Sequence, residues 1–186
     1  MTRITKQGLL GLGIIGIATV LATAPAVAQD AAPKSDEIIN RLAPTDAPAT
    51  ALRRKGTGRG LAVRVEPVAP PSMDFNVVFE LGSADLTPQA LTVLDELGAA
   101  LASEQLSPYD FRISGHTDAT GPESFNLTLS ERRAQAVEDY LSAKFGIDKS
   151  RLLTVGMGEN QPVDPNNPFS AQNRRVEIIN LGSSGS

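Results

Sequence analysis

The sequence predicts an α/β sandwich in which two main helices pack on a mixed four-stranded sheet, in the chain order β-α-β-α-β-β. Three observations carry this expectation. Short strand-like apolar runs occur at 73–81, 109–114, 152–155 and 174–180. Two longer stretches between them keep helical spacing of apolar residues, and cap residues sit at their ends.

The first run, 73–81, is apolar and reads as a strand. Thr87 and Pro88 then supply a cap and a first helical residue, because proline at that position gives up only an N–H that a helix start leaves unpaired. Leu91, Leu94, Leu97 and Leu101 keep the spacing of one buried helical face. Residues 109–114 alternate as a strand and run into Gly115. A second helix is expected from Pro122 to about Phe145, with Phe125, Leu129, Ala136, Val137, Tyr140 and Leu141 on its apolar stripe and Gly146 at the position after its C-cap. Residues 152–155 make a third strand. In the fourth, Arg174, Val176 and Ile178 share a face.

The segment Gly115-His116-Thr117-Asp118 leaves the second of these strands, and Arg133 follows fifteen residues after the aspartate. Arg133 lies four residues after Leu129 and four before Val137, so its guanidinium points inward, where a charge needs a partner. Asp118 is the candidate partner. Two readings stand at this point. One is a structural ion pair, and the other is a receptor for an amino acid head group, the carboxylate taking an ammonium and the guanidinium fork taking a carboxylate.

Further spaced residues bear on the choice. Gly121, Asn126, Leu129-Ser130, Arg132-Arg133-Ala134, Val137, Tyr140-Leu141, Gly146-Ile147, Arg151-Leu152, Gly156, Gly158-Glu159, Pro162 and Asn173-Arg174-Arg175-Val176-Glu177 follow the Gly-His-Thr-Asp run in order. This set resembles the OmpA-like peptidoglycan-binding domain, and the resemblance runs from near Phe79 and the Ser83-Ala84-Asp85-Leu86 loop to about Leu181. The resemblance implies a ligand site for the diaminopimelate of the wall's stem peptide, held by Asp118 and Arg133. Asn126, Thr117 and Arg174 are added as further ligand-binding positions. It implies a protein that anchors to or organises the cell wall. The alternative is an envelope protein–protein interaction module in which the Asp118–Arg133 pair is structural.

The remaining chain sets the bounds. Arg3 and Lys6, an apolar stretch over 8–22 and the small-residue site Pro25-Ala26-Val27-Ala28 read as an export signal over residues 1–28. A retained anchor is the other reading of that stretch. The 17 basic residues less Arg3 and Lys6 leave 15 against 21 acidic ones, a net charge of −6 that argues against a nucleic acid partner. There is no cysteine, so neither a disulfide nor a cysteine-linked lipid is available. The expected location is the periplasm in association with the wall, with outer membrane association left open.

Residues 29–71 read as an N-terminal segment and linker containing a short helix near 35–43, residues 72–182 as the folded domain, and 183–186 as a flexible tail. Ser35, Asp36 and Glu37 suit a helix start, and Ile38, Ile39 and Leu42 suggest that the helix docks on its own domain. A basic glycine-rich run, Arg53-Arg54-Lys55-Gly56-Thr57-Gly58-Arg59-Gly60, leads into a strand-like Leu61-Ala62-Val63-Arg64-Val65 and reads as a solvated linker. Residues 34–60 are also the candidate contact for an envelope protein partner.

Catalysis finds little support. His116 is the single histidine, and a Ser-His-Asp arrangement would have to use it although Asp118 points the other way along an extended segment. A ring satisfied by a backbone carbonyl is the plainer expectation for His116. No cofactor and no metal site are expected: zinc lacks ligands, and Asp164-Pro165-Asn166-Asn167 lacks the order of a calcium loop and reads as a rigid turn. Glu138 and Asp139 are expected on a solvated helix surface.

Overall fold

The structure, a computed structural model, describes residues 32–44, 69–80 and 82–183. The export signal, the basic run Arg53 to Gly60 and the strand-like Leu61 to Val65 lie outside the described residues. Three helices pack with a four-stranded sheet: α1 (Ser35–Leu42), β1 (Ser72–Phe75), α2 (Pro88–Leu101), β2 (Tyr109–His116), α3 (Glu123–Phe145), β3 (Leu152–Gly158) and β4 (Val176–Ser183). Among the described residues no helix is long and apolar enough to cross a membrane.

The sheet order is β1-β4-β2-β3. β4 pairs antiparallel with both β1 and β2, while β2 and β3 run parallel across the α3 crossover, so the sheet is mixed as expected. One face carries Met73, Phe75, Phe111, Ile113, Val176 and Ile178, which meet Leu94, Leu97 and Leu101 of α2 and Val137 and Leu141 of α3 in a single core. Alternation puts Arg112, Ser114 and His116 on the other face of β2.

Local chemistry sets the helix ends. Thr87 Oγ1 accepts from Ala90 N at 3.3 Å and Pro88 opens α2. α3 ends where Gly146, at φ 67°, adopts the left-handed conformation and donates to Ser142 O. The short N-terminal helix forms and docks: Ile38 and Leu42 are fully buried, α1 packs on α2 and β1, and Asn180 Nδ2 donates to Leu42 O at 2.8 Å.

Several details depart from expectation. The first strand stops at Phe75 instead of reaching residue 81, because Val77 N turns back to Phe75 O and the chain then folds onto itself through Thr87 N to Val78 O and a Phe79–Leu86 bridge. β4 begins at Val176 and continues to Ser183. Phe125, placed on the apolar stripe of α3, is 51% exposed. The reason is that α3 turns Phe125, Leu127 and Thr128 toward solvent, and its buried stripe runs through Asn126, Leu129, Arg133 and Val137. Glu138, assigned to a solvated surface, is buried and hydrogen-bonded by Gln135, while its neighbour Asp139 is exposed and pairs with Lys149.

The closest packing lies between α3 and the parallel strands. A Cβ added at Gly115 would fall 2.1 Å from Ser130 O, and one at Gly156 would fall 2.7 Å from Glu131 N and 2.8 Å from Leu127 O. These neighbours are backbone, so they cannot swing aside. Ser130 completes the seam, accepting from Gly158 N at 2.9 Å through its Oγ. Gly115→Ala is expected to push α3 off the sheet and cost about 1–3 kcal/mol, as overpacking does. A urea midpoint equal to that of the unaltered protein would show that the helix can lift without cost.

Candidate functional site

The end of β2 is held from both sides: His116 N donates to Arg175 O and Thr117 N to Gly158 O, each at 2.9 Å. Asp118 follows at once. Its side chain is largely buried, with Oδ1 accepting from Thr120 N at 3.0 Å and Oδ2 from Arg174 Nη1 at 2.6 Å. Burial opposes the charge on Asp118, but the Arg174 and Thr120 bonds outweigh it and hold the carboxyl below the usual carboxylate range. Asn126, on the first turn of α3, donates through Nδ2 to Asp118 O at 3.3 Å and to Glu159 Oε2 at 2.6 Å. It therefore ties the loop, the helix and the end of β3 together.

Arg133 stands two turns further along α3 and is buried, 7% exposed. Its Nε donates to Ser83 O at 3.0 Å and its guanidinium carbon lies 4.8 Å from the centre of the Phe79 ring. Burial and the nearby positive charge of Arg174 lower its pKa, while the charge of Asp118 opposes that shift. The two groups thus share a site electrostatically, but they are not the direct pair expected. Asp118 bonds Arg174 instead, because Arg174 enters β4, the antiparallel neighbour of β2, and arrives beside the end of that strand. Arg133 is occupied by the loop at Ser83, and among the described residues its Nη atoms make no hydrogen bond. The site so formed is a carboxylate with a spare lone pair on each oxygen and a buried guanidinium with free N–H groups.

The five expected residues are brought to one rim, with different roles. Asp118, Asn126, Arg133 and Arg174 are in the network, and the Arg174 side chain is half exposed. Thr117 is adjacent, but its Oγ1 is buried and makes no hydrogen bond, so it faces the interior. Ser83, Phe79, Thr120 and Glu159 complete the arrangement and were not assigned roles from sequence. Phe79, Ser83 and Glu159 were signalled only by their places in the spaced set, the first two near its start and Glu159 after Gly158, and Thr120 carried no signal. Asn173, fully buried, clamps the following loop: its Oδ1 accepts from Asp164 N, and its Nδ2 donates to the carbonyls of Asn167 and Pro168. Asp164 Oδ1 accepts from Asn166 N and Asn167 N, which makes the segment a turn. Among the described residues no cluster of His, Asp or Glu is arranged to hold a metal.

The family pattern described as OmpA matches residues 78–175, a span that holds Asp118, Asn126, Arg133 and Arg174. The chain belongs to the OmpA family. The relatives include the protein named "Probable lipoprotein YiaD" of Escherichia coli K12, 36% identical over 130 residues that cover 68% of this chain and 58% of that protein. Outer membrane protein A of Bordetella avium is 33% identical over 133 residues, covering 67% of each. This chain thus spans about three fifths to two thirds of the length of these relatives. Among solved structures, the cell wall anchor of the type VI secretion system (T6SS) from Pseudomonas aeruginosa superposes with a TM-score of 0.50 at 28% identity, over 60% of this chain and 80% of the other. The periplasmic domain of Helicobacter pylori MotB, 18% identical with a TM-score of 0.54 over 65% of this chain and 78% of that one, shares the fold.

His116 departs from its expected setting. No backbone carbonyl satisfies the ring: both ring nitrogens are buried without a hydrogen bond, and Nε2 lies 3.6 Å from Glu177 Oε2. Burial, then the charge of Arg175, push its pKa down to about 4, with Asp74 opposing and Arg112 adding to the fall. The unfolded chain therefore takes up this proton first, near pH 6.5, and the folded state loses stability as pH falls from there toward 4. The loss is expected to reach about 3 kcal/mol by pH 4. Urea unfolding at pH 7 and pH 4 should show a smaller drop for His116→Gln than for the unaltered protein. Equal drops would place the acid sensitivity in the carboxylates alone.

Proposed function

We propose that this chain binds peptidoglycan noncovalently in the periplasm, taking the diaminopimelate of the stem peptide between Asp118 and Arg133, and so anchors to or organises the cell wall. The observation that carries the reading is a buried guanidinium with free N–H groups in the same site as a buried, ionised carboxylate. That arrangement suits an amino acid head group, the ammonium going to Asp118 and the carboxylate to the fork of Arg133. Membership of the OmpA family and the likeness to a structure named as a cell wall anchor support it. Arg174 shields the Asp118 charge in the free protein, and an arriving ammonium donates to the lone pairs that Arg174 and Thr120 leave open.

The direct Asp118–Arg174 bond also favours a second reading, an envelope interaction module whose buried charges are only structural. A pull-down on purified sacculi, with and without free diaminopimelate, separates the two, since only the first predicts competition. In that assay Arg133→Ala is expected to lose about 2 kcal/mol of binding, on the order of thirtyfold, while remaining folded. Arg133→Lys should also bind poorly, because an ammonium cannot make two parallel bonds. Full retention by the lysine variant would sink the bidentate mechanism. Asp118→Asn removes the counter-charge of the ligand ammonium and strands Arg174, at an expected cost of about 2–5 kcal/mol if both are desolvated in the complex.

A further inference from the structure

Beside the Asp118–Arg133 site lies a cleft of about 490 Å³, lined by Gly82, Pro122, Ser124, Phe125, Thr128, Leu129 and Arg132. It runs along the N-terminal half of α3, between that helix and the loop that presents Ser83 to Arg133. The two arginines are consecutive, so their side chains diverge around the helix. Arg133 goes inward to Ser83 O and Arg132 stays on the exposed side, at the cleft. Among the described residues Arg132 makes no hydrogen bond or ion pair. Phe125 is half exposed in the same cleft, although a phenyl ring gains about 1.5–3 kcal/mol from burial. The hydroxyls of Ser124 and Thr128 sit on the same stretch of helix, Ser124 directly before Phe125 and Thr128 directly before Leu129, and Thr128 Oγ1 donates to Ser124 O at 3.1 Å.

Resting on the reading of the main site given above, we propose that this cleft is a second subsite, which takes the residue bonded to the diaminopimelate and binds a second carboxylate through Arg132. An unpaired guanidinium fork matches a carboxylate, and the apolar wall of Phe125, Leu129 and Pro122 matches the short aliphatic part of a small amino acid. Neighbouring residues of one ligand reach both subsites, because the cleft shares Leu129 with the helix turn that precedes Arg133 and shares the Gly82–Ser83 loop. The ligand recognised is then a peptide with two anionic groups, and the free amino acid fills half of the site. A wall peptide offers such a carboxylate either on the glutamate before the diaminopimelate or on an alanine after it.

Calorimetric titration of the purified protein tests the assignment with four probes: free diaminopimelate, the tripeptide alanyl-γ-glutamyl-diaminopimelate, that tripeptide with the glutamate carboxylate amidated, and the tetrapeptide that carries a further C-terminal alanine. The unaltered protein should bind the tripeptide about tenfold more tightly than free diaminopimelate. Arg132→Ala and Phe125→Ala, both at exposed positions, should remove that advantage and leave the affinity for the free amino acid where it was. If amidation of the tripeptide abolishes the advantage, the glutamate supplies the carboxylate. An advantage that survives amidation but appears in full only with a tetrapeptide ending in alanine assigns it to the alanine. Binding of both the tripeptide and the tetrapeptide by Arg132→Ala within twofold of the unaltered protein overturns the subsite while leaving the main site standing. Failure of the unaltered protein to bind any probe, or indifference of all binding to Arg133→Ala, overturns the main site and the subsite with it.

Discussion

The contact on which the rest depends is backbone against backbone. α3 lies on β2 and β3 so closely that Gly115 and Gly156 leave no room for a side chain under Leu127, Ser130 and Glu131. That seam fixes the helix's height and rotation over the sheet. Rotation places Asn126 beside the Asp118 carbonyl, Arg133 against Ser83, and Leu129 and Val137 in or near the core. A helix one methyl further out would carry all of these with it, and hydrogen bonds weaken steeply with such displacements.

The polar site on this platform is built by over-connection. Asn126 reaches both Asp118 and Glu159, Thr117 N binds Gly158 O, and Ala119 N binds Pro168 O, so the loop after β2 is tied to α3, to β3 and to the segment that Asn173 clamps. Such bonds hold two buried charges in place without requiring them to neutralise each other. Where Asp118 does find a direct counter-charge, it is the half-exposed Arg174, the more easily moved of its neighbours. On the proposed reading, in which Asp118 meets a ligand ammonium, a mobile partner serves better than a locked one, because a locked buried pair leaves no site for a competitor.

The helices and their ends were legible because their signals are local. Thr87-Pro88 and Gly146 mark boundaries by chemistry acting within a few residues, and leucine spacing reports a buried face directly. The ends of the strands were less so. Phe75 to Leu81 is largely apolar, broken only by Asn76 and Glu80, and the return of the chain through Phe79 and Leu86 decides where the ladder stops. The partner of Asp118 was hidden for a similar reason. Sequence distance favoured Arg133, fifteen residues away, whereas the antiparallel approach of β4 brings Arg174 from fifty-six residues away. Glu138 misled because periodicity describes one helix alone and does not show that Gln135 would fold over it.

The way α1 is fastened bears on how the fold loosens. Its hold on the domain comes from Ile38 and Leu42, one turn apart, the Asn180 bond at its last turn, and the contacts of Lys34 and Ser35 with Glu96 at its start. Eight residues are too few to persist as a helix without that support. Its backbone protons therefore exchange with solvent by detachment of the whole segment, at a lower free energy than the strands it rests on, and it forms a cooperative unit of its own. Detachment leaves the glycine seam between α3 and the sheet intact, so the polar rim at Asp118 and Arg133 keeps its shape while α1 opens away from α2 and β1.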